Sequence, residues 1–298
     1  MEKNWIPNVT EAVAISFVEA NGLTFEVAQA GEGDHLALCL HGFPELNYSW
    51  RYQIPLLVKL GYRVWAPNQR GYGNSSKPTG ITNYTADNMV ADAAALFDAS
   101  GALTLTIIGH DWGGAIAWLF AINRVRPVER LVVMNLPHPH CFQAALRHWP
   151  QLRRSWYVGA VQMPWLPEWW LARDDATPIR RAFLNMAIDK SRFPVDVLDV
   201  YAAAAQKPGA LTAMLNWYRA AVRHRRCVVI ANGGRVDGPV LIIWGEEDSA
   251  LGLETLNGTE RYVRDLTIRR LANVSHWVQQ EAPETVNAIL AEWLPQRC

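Results

Sequence analysis

An α/β fold with a mostly parallel central sheet and an inserted helical subdomain is what this sequence predicts, on three observations. Short apolar runs at residues 36–40, 63–66, 105–108, 131–134 and 240–244 have the unbroken hydrophobicity of strands covered on both faces. Most are separated by helical patterns, among them 85–97, with Thr85 placed to cap it, and 114–123, so the repeat is strand, helix, strand. From 137 to 226 the strand rhythm stops, and the segment is rich in Trp, Pro, Arg and helical Ala runs such as 201–205.

Taken in order, the chain opens with apolar-polar alternation over 15–27 around Asn21-Gly22, a dipeptide that readily adopts the two positive-φ positions of a tight hairpin. The βαβ pattern follows. After the insertion the rhythm resumes at Pro239, continues through 266–271 and ends in a helical pattern over 283–293. The expected organisation is therefore a core in two parts, 1–136 and 227–298, split by a helical subdomain at 137–226. No repeat or low-complexity tract interrupts it.

The 298 residues are half apolar, enough for one large interior. With 28 basic and 28 acidic side chains, no net field draws the chain to nucleic acid or an anionic membrane, and any charge selectivity must be local. A small neutral ligand fits that balance. Cys39, Cys141, Cys227 and Cys298 lie far apart, without CxxC spacing, which predicts a reducing, cytoplasmic setting. The start Met1-Glu2-Lys3-Asn4-Trp5 has no secretory pattern, and no stretch approaches the ~18 apolar residues of a membrane span.

The chemistry starts at Gly109-His110-Asp111-Trp112-Gly113, which lies after a predicted strand and before a predicted helix. This is the spacing of a nucleophile elbow, G-x-S-x-G, with Asp at the centre. Read alone, the pentapeptide serves equally well as an Asp capping the helix that follows. A carboxylate nucleophile restricts the reaction: attack on a saturated carbon gives an alkyl ester that water can cleave at the enzyme's own carbonyl, whereas serine would leave an inert ether. The electrophile is then an epoxide or an alkyl halide.

Cleaving that ester needs a base. His276, in Asn273-Val274-Ser275-His276-Trp277, follows the last predicted strand, and Asp248, in Trp244-Gly245-Glu246-Glu247-Asp248, follows the strand before it. Positions 111, 248 and 276 run in the order nucleophile, acid, histidine, with Glu247 the lesser candidate for the acid. Asp248 would hold the imidazole in one tautomer while the imidazole takes a proton from water. The oxyanion needs two donors, for which the backbone N–H groups of Trp112 and Phe43 are the candidates; Pro44 has none to give. Read in isolation, His41-Gly42-Phe43-Pro44 is also an ordinary tight turn.

The combination of His41-Gly42-Phe43-Pro44-Glu45, Tyr48-Ser49-Trp50-Arg51-Tyr52-Gln53-Ile54-Pro55, Arg70-Gly71-Tyr72-Gly73 and Gly109-His110-Asp111-Trp112-Gly113-Gly114 closely resembles soluble epoxide hydrolases of the α/β-hydrolase superfamily, over about residues 12–296. The resemblance implies an α/β-hydrolase fold, a helical cap formed by the insertion, and a cis Phe43–Pro44 bond. It also implies two cap tyrosines donating to the epoxide oxygen. The spacing from Tyr157 to Gln162-Met163-Pro164, and Leu215-Asn216-Trp217-Tyr218-Arg219, match those positions. Phe43, Trp112 and Met163 are expected to line the substrate. One departure is Asn68, where the family often has Asp, which bears on a turn more than on the chemistry. Without that context, two of nine tyrosines would be read as packing.

Haloalkane dehalogenases share the Asp nucleophile but typically place Asn where Phe43 stands and lack the paired phenols; fluoroacetate dehalogenases usually carry Arg where Trp112 stands. A catalytically silent receptor on this fold would tend to lose a member of the set, and none is missing here. The cluster His138-Pro139-His140-Cys141 with His148 has no evident carboxylate partner and reads as structural, so neither metal nor cofactor is expected. His41 and His110 are expected to support by hydrogen bonding.

Overall fold

The computed structural model describes residues 13–224 and 229–297. The leading segment Met1 to Trp5, Cys227, Cys298, Arg225, Arg226 and the expected boundary between 226 and 227 lie outside the described residues. Eight strands form one sheet: β1 (Ala14–Ala20), β2 (Leu23–Ala30), β3 (His35–Leu40), β4 (Arg63–Pro67), β5 (Thr104–His110), β6 (Arg130–Met134), β7 (Val236–Gly245) and β8 (Val263–Leu271). Their order is β1-β2-β4-β3-β5-β6-β7-β8, antiparallel through the first three and parallel from there on. This is the α/β-hydrolase fold. Asn21 (φ 50°) and Gly22 (φ 69°) make the opening hairpin turn, and each strand run expected from the sequence is found.

Helices α1 (Gln53–Lys59), α2 (Ala86–Ser100) and α3 (Trp112–Ile122) lie between the strands of the first part. Between β6 and β7 the chain forms α4 (Pro139–Ala145), α5 (Trp149–Arg154), α6 (Trp156–Ala160), α7 (Leu166–Met186), α8 (Val195–Ala205) and α9 (Ala210–Arg223), with no strand among the described residues. The chain ends in α10 (Val278–Glu281) and α11 (Pro283–Trp293). Alternate side chains of each strand serve opposite faces. Leu36, Leu38, Leu40, Leu105, Ile107 and Val133 pack with α2 and α3, whereas Ala37, Cys39, Ile108, Val132, Met134 and Ile243 pack with α1, α10 and α11. The two faces of the sheet are thus both covered, which is why its strands lack polar alternation.

One capping expectation is corrected. Thr85 does precede α2 with extended backbone, but its hydroxyl accepts from the Asn88 side chain at 3.1 Å instead of from the helix backbone. The departure at Asn68 costs no partner: Oδ1 accepts from the N–H of Asn47 (2.8 Å), and Nδ2 donates to Glu26 (2.6 Å). Cys39 and Cys141 are buried, unpaired thiols whose titration burial pushes up, so each packs as a small apolar side chain.

Candidate active site

The strand β5 delivers Asp111 by turning sharply into α3. Asp111 occupies the position before the helix with φ 49° and ψ −120°, a backbone region that costs on the order of 1–3 kcal/mol for a non-glycine residue. The neighbouring glycines make this turn possible: a Cβ on Gly113 would strike the carbonyl of Leu40, and one on Gly109 the carbonyl of Gly113. Although Asp111 stands at the capping position, its side chain makes no capping hydrogen bond. It turns away, so that Oδ1 accepts from the N–H of Phe43 at 2.9 Å and Oδ2 lies 3.7 Å from Nε2 of His276. That removes the helix-cap reading of the pentapeptide.

His276 Nδ1 faces Asp248 Oδ2 at 2.6 Å. Asp248 is buried and also accepts from the N–H groups of Ala250 (2.8 Å) and Leu251 (2.9 Å), while Glu247 is exposed. Burial would push the Asp248 carboxyl up, but the facing imidazole and these donors hold it below the usual carboxylate range. For His276, burial favours the neutral ring, yet the charges of Asp248 and Asp111 and the bonds they make outweigh it and raise the pKa to about 10. The imidazole therefore carries a proton at neutral pH as long as both carboxylates are charged.

Two phenols from the insertion complete the constellation. Tyr157 on α6 and Tyr218 on α9 meet edge to face with ring centroids 5.9 Å apart, and Tyr218 also contacts the rings of Trp112 (5.0 Å) and Phe43 (5.4 Å). Burial, reinforced by the negative charge of Asp111, pushes both phenols well above their ordinary range, so they stay protonated. The N–H of Trp112 belongs to the first turn of α3 and has no intrahelical acceptor. The Met163 side chain is 46% exposed, and its carbonyl accepts from Arg219 at 2.8 Å.

Known proteins are similar to this chain in sequence and in fold. A family model described as alpha/beta hydrolase fold matches residues 38–283. The chain is 37% identical to human epoxide hydrolase 4 over 288 residues, covering 94% of this chain and 78% of that protein. The structure of a Bacillus megaterium epoxide hydrolase in complex with an inhibitor superimposes with a TM-score of 0.86 at 30% identity, over 93% of this chain and 99% of that one. The chain belongs to the epoxide hydrolase family of the α/β-hydrolase superfamily. It is also 38% identical to the AB hydrolase superfamily protein YfhM of Bacillus subtilis, with 95% of this chain and 99% of that one covered.

Side chains beyond the nucleophile, acid and base brace the candidate site of this epoxide hydrolase family member. Asn135, at φ 42° just beyond β6, donates to Asp248 Oδ2 (2.7 Å) and accepts from the N–H of Gly245 (2.9 Å), fixing the acid from behind. Its one available signal was position, as a polar residue at the carboxyl end of a buried strand. The carboxylate of Glu281 accepts from the N–H of Ser275, next to His276, and from those of Ile188 and Asp189, so one side chain ties the insertion to the histidine loop. Arg70 forms a bidentate buried pair with Asp92 (2.5 and 2.6 Å), and its carbonyl accepts from the Trp217 indole, the neighbour of Tyr218 (3.2 Å).

The two motif histidines are both buried and held by hydrogen bonds. His41 Nδ1 donates to the Gly42 carbonyl (2.9 Å) and Nε2 accepts from the N–H of Gln69 (3.1 Å), while burial lowers its pKa to about 4, so it is neutral. His110 has acceptors on both sides, with Glu45 Oε2 2.6 Å from Nδ1 and the His276 carbonyl 2.8 Å from Nε2. Glu45 itself accepts from the N–H of Gly42 and the side-chain amides of Gln279 and Gln280. His110 thus bridges the Glu45 carboxyl group and the backbone of His276. His138, by contrast, stacks on Tyr262 at 4.4 Å and bonds the Gly234 carbonyl. Among the described residues no group of three His, Cys, Asp or Glu side chains is arranged to hold a metal ion.

Breaking the Glu45 and His110 pair should cost folding stability. For Glu45→Gln we expect a loss of about 3–5 kcal/mol, read from the urea midpoint at neutral pH, because it removes the buried carboxylate on which Gly42, His110, Gln279 and Gln280 converge. Glu45 is held at about 2 against an ordinary 4.5, although burial alone would raise it, because the charge and hydrogen bond of His110 overcome that penalty. Its contribution is therefore present above pH 4.5 and lost as pH falls through about 2, so the gap between wild type and variant should close across that window. A gap unchanged with pH would contradict the assignment.

Proposed function

We propose that this protein hydrolyses small epoxides to vicinal diols through a covalent alkyl ester on Asp111, under a cap formed by residues 137–226. The observation that carries the proposal is the placement of one carboxylate, Asp111, between a backbone donor at Phe43 and the imidazole of His276, with two protonated phenols nearby. Asp111 Oδ2 attacks a ring carbon. The breaking C–O bond sends its electrons to the epoxide oxygen, and Tyr157 and Tyr218 donate hydrogen bonds to the alkoxide as it develops.

The charge arithmetic then orders the two half-reactions. Esterification removes the charge of Asp111, one of the causes that keep the imidazolium of His276 protonated. Its pKa falls, the proton it gives up neutralises the alkoxide, and the neutral ring is produced at the stage that needs a base. Water placed by Nε2 attacks the ester carbonyl, whose oxygen is held by the N–H of Phe43 with that of Trp112 as second donor. Nε2 takes one proton of that water, and collapse of the intermediate passes the other to the leaving oxygen, releasing diol and regenerating the carboxylate, while Asp248 keeps the imidazole oriented. No cofactor enters the cycle.

A diol assay and a halide-release assay on the same preparation test the reaction class. Diol formation from a small aryl epoxide is expected, and halide release from a chloroalkane without diol formation would overturn the proposal. The role of the phenols predicts that Tyr157→Phe or Tyr218→Phe slows single-turnover alkylation by about 10–100-fold, and the double substitution by ~1000-fold or more. Alkylation at the wild-type rate in the double variant would remove them from the mechanism.

A further inference from the structure

The two phenols are held in place by different means. Tyr218 lies on α9, most of whose side chains are buried, so packing against the core fixes it. Tyr157 lies on α6, a helix of five residues with no fully buried side chain. The residues that lead from α6 into α7, 163–166, are exposed, and Trp165 among them stands at φ 51°. The apolar core therefore does little to determine where α6 sits, and Tyr157 with it.

Arg219, the residue after Tyr218, supplies a tie between the two helices. The last carbonyls of a helix lack intrahelical partners, and just beyond α6 Arg219 takes two such groups: Nε donates to the Val161 carbonyl at 3.0 Å and Nη2 to that of Met163 at 2.8 Å. The same guanidinium forks onto Glu168 in the first turn of α7, at 2.6 and 3.0 Å, and its remaining N–H reaches Asn216 Oδ1 at 3.4 Å. All five N–H groups of this buried side chain are engaged, so none is left for a substrate. Burial would raise the Glu168 carboxyl, but the bonds it accepts, that from Arg219 foremost, hold it below its ordinary range, so the pair stays ionised at neutral pH. Gln162 reinforces the tie, its Nε2 donating to the Tyr218 carbonyl (3.2 Å) and its own carbonyl accepting from Arg223 (2.7 Å).

We propose that Arg219 is a positioning residue: from α9 it sets where α6 carries Tyr157 relative to Tyr218 and Asp111, without itself touching the epoxide. Its effect on rate passes through the Tyr157 hydroxyl and so rests on the reading of both phenols as donors to the epoxide oxygen. Misplacing by about 1 Å a group that must meet the developing alkoxide costs up to ~100-fold. The loss is bounded by that of Tyr157→Phe, because a hydroxyl held out of reach contributes no less than one that is missing. Ester cleavage, which uses His276 and the donors at Phe43 and Trp112, lies outside this control. Lysine in place of Arg219 keeps the charge but concentrates it on a single nitrogen, which cannot span Val161, Met163 and both oxygens of Glu168.

Single-turnover kinetics of Arg219→Lys, alone and combined with each tyrosine substitution, test the proposal. Alkylation should slow by about tenfold, while hydrolysis of the accumulated ester keeps its wild-type rate. Added to Tyr157→Phe, the substitution should cost less than about a further twofold; added to Tyr218→Phe, it should keep its full effect. Glu168→Gln, which removes the partner and leaves the arginine, should act in the same direction and serves if the lysine variant does not fold. Equal losses in both tyrosine backgrounds, or equal slowing of both half-reactions, would make Arg219 a general support of the fold and overturn the proposal. A crystal structure of the variant separates this from the role of the phenols: α9 should stay in place while α6 shifts and the 5.9 Å separation of the Tyr157 and Tyr218 rings changes. An α6 that does not move would overturn the positioning. A shifted α6, together with wild-type alkylation by Tyr157→Phe, would uphold the positioning and count against the catalytic reading of Tyr157 alone.

Discussion

His276→Gln should open epoxide rings and then stall, so that intact mass rises by the mass of one substrate and the increase maps to the peptide carrying Asp111. The expectation follows from how the site divides its labour. Attack uses Asp111 and the two phenols, none of which needs His276 to take a proton. Hydrolysis does need it, because water at neutral pH is too weak a nucleophile to cleave an alkyl ester at a useful rate. Loss of the base should slow turnover by roughly 10³-fold or more while ester formation persists. Glutamine keeps a polar group near Asp248 but cannot accept and pass on the proton. An unmodified variant after incubation with epoxide, or an adduct elsewhere in the chain, would remove His276 from the second step or Asp111 from the first.

Asp111→Ala should abolish both adduct and diol, with a larger loss than any other single substitution, because no other side chain at the site is placed to act as nucleophile. It should also move a group it does not touch covalently. With burial favouring the neutral ring, His276 is held at about 10 by Asp248 and Asp111 together, so losing the Asp111 charge should lower it. Imidazole nitrogen chemical shifts followed against pH would read this directly in the inactive variant. The sign has a consequence for stability as well: a raised histidine contributes in full below its ordinary 6.5 and loses that contribution as pH rises through about 10. A His276 titration unaltered by Asp111→Ala would mean that the charge of Asp111 does not control the base.

The parts of this molecule written in local sequence are those with a local cause. Asn21-Gly22 makes its own turn because both residues accept positive φ, and the strands announce themselves because burial on both faces leaves no polar alternation. Gly109 and Gly113 mark the elbow because no larger residue fits beside the backbone there. What sequence alone left open at Asp111 was the direction of its side chain. Capping and nucleophile readings share the same pentapeptide, and the approach of Phe43 and His276 from distant loops decides between them.

The supports of the site were not legible for the same reason. Asn135, Gln280 and Glu281 matter through partners up to 235 positions away, met only where loops converge at the carboxyl edge of the sheet. Tyr201 on α8 is a further case, donating to Gln280, which in turn donates to Glu45, so a helix of the insertion is wired to the pair behind His276. The use of the Met163 carbonyl by Arg219 is likewise a long-range contact that spacing from Tyr157 does not announce.

The central claim is that Asp111 becomes part of an ester with its substrate. It is tested most directly by one turnover, with enzyme in excess over epoxide, in water enriched in heavy oxygen. The first diol should contain only light oxygen, one atom from the epoxide and one from the Asp111 carboxylate, with the heavy atom recovered in the Asp111 peptide. Heavy oxygen in that first diol, and none in the protein, would mean that water opens the ring without the enzyme's carboxylate.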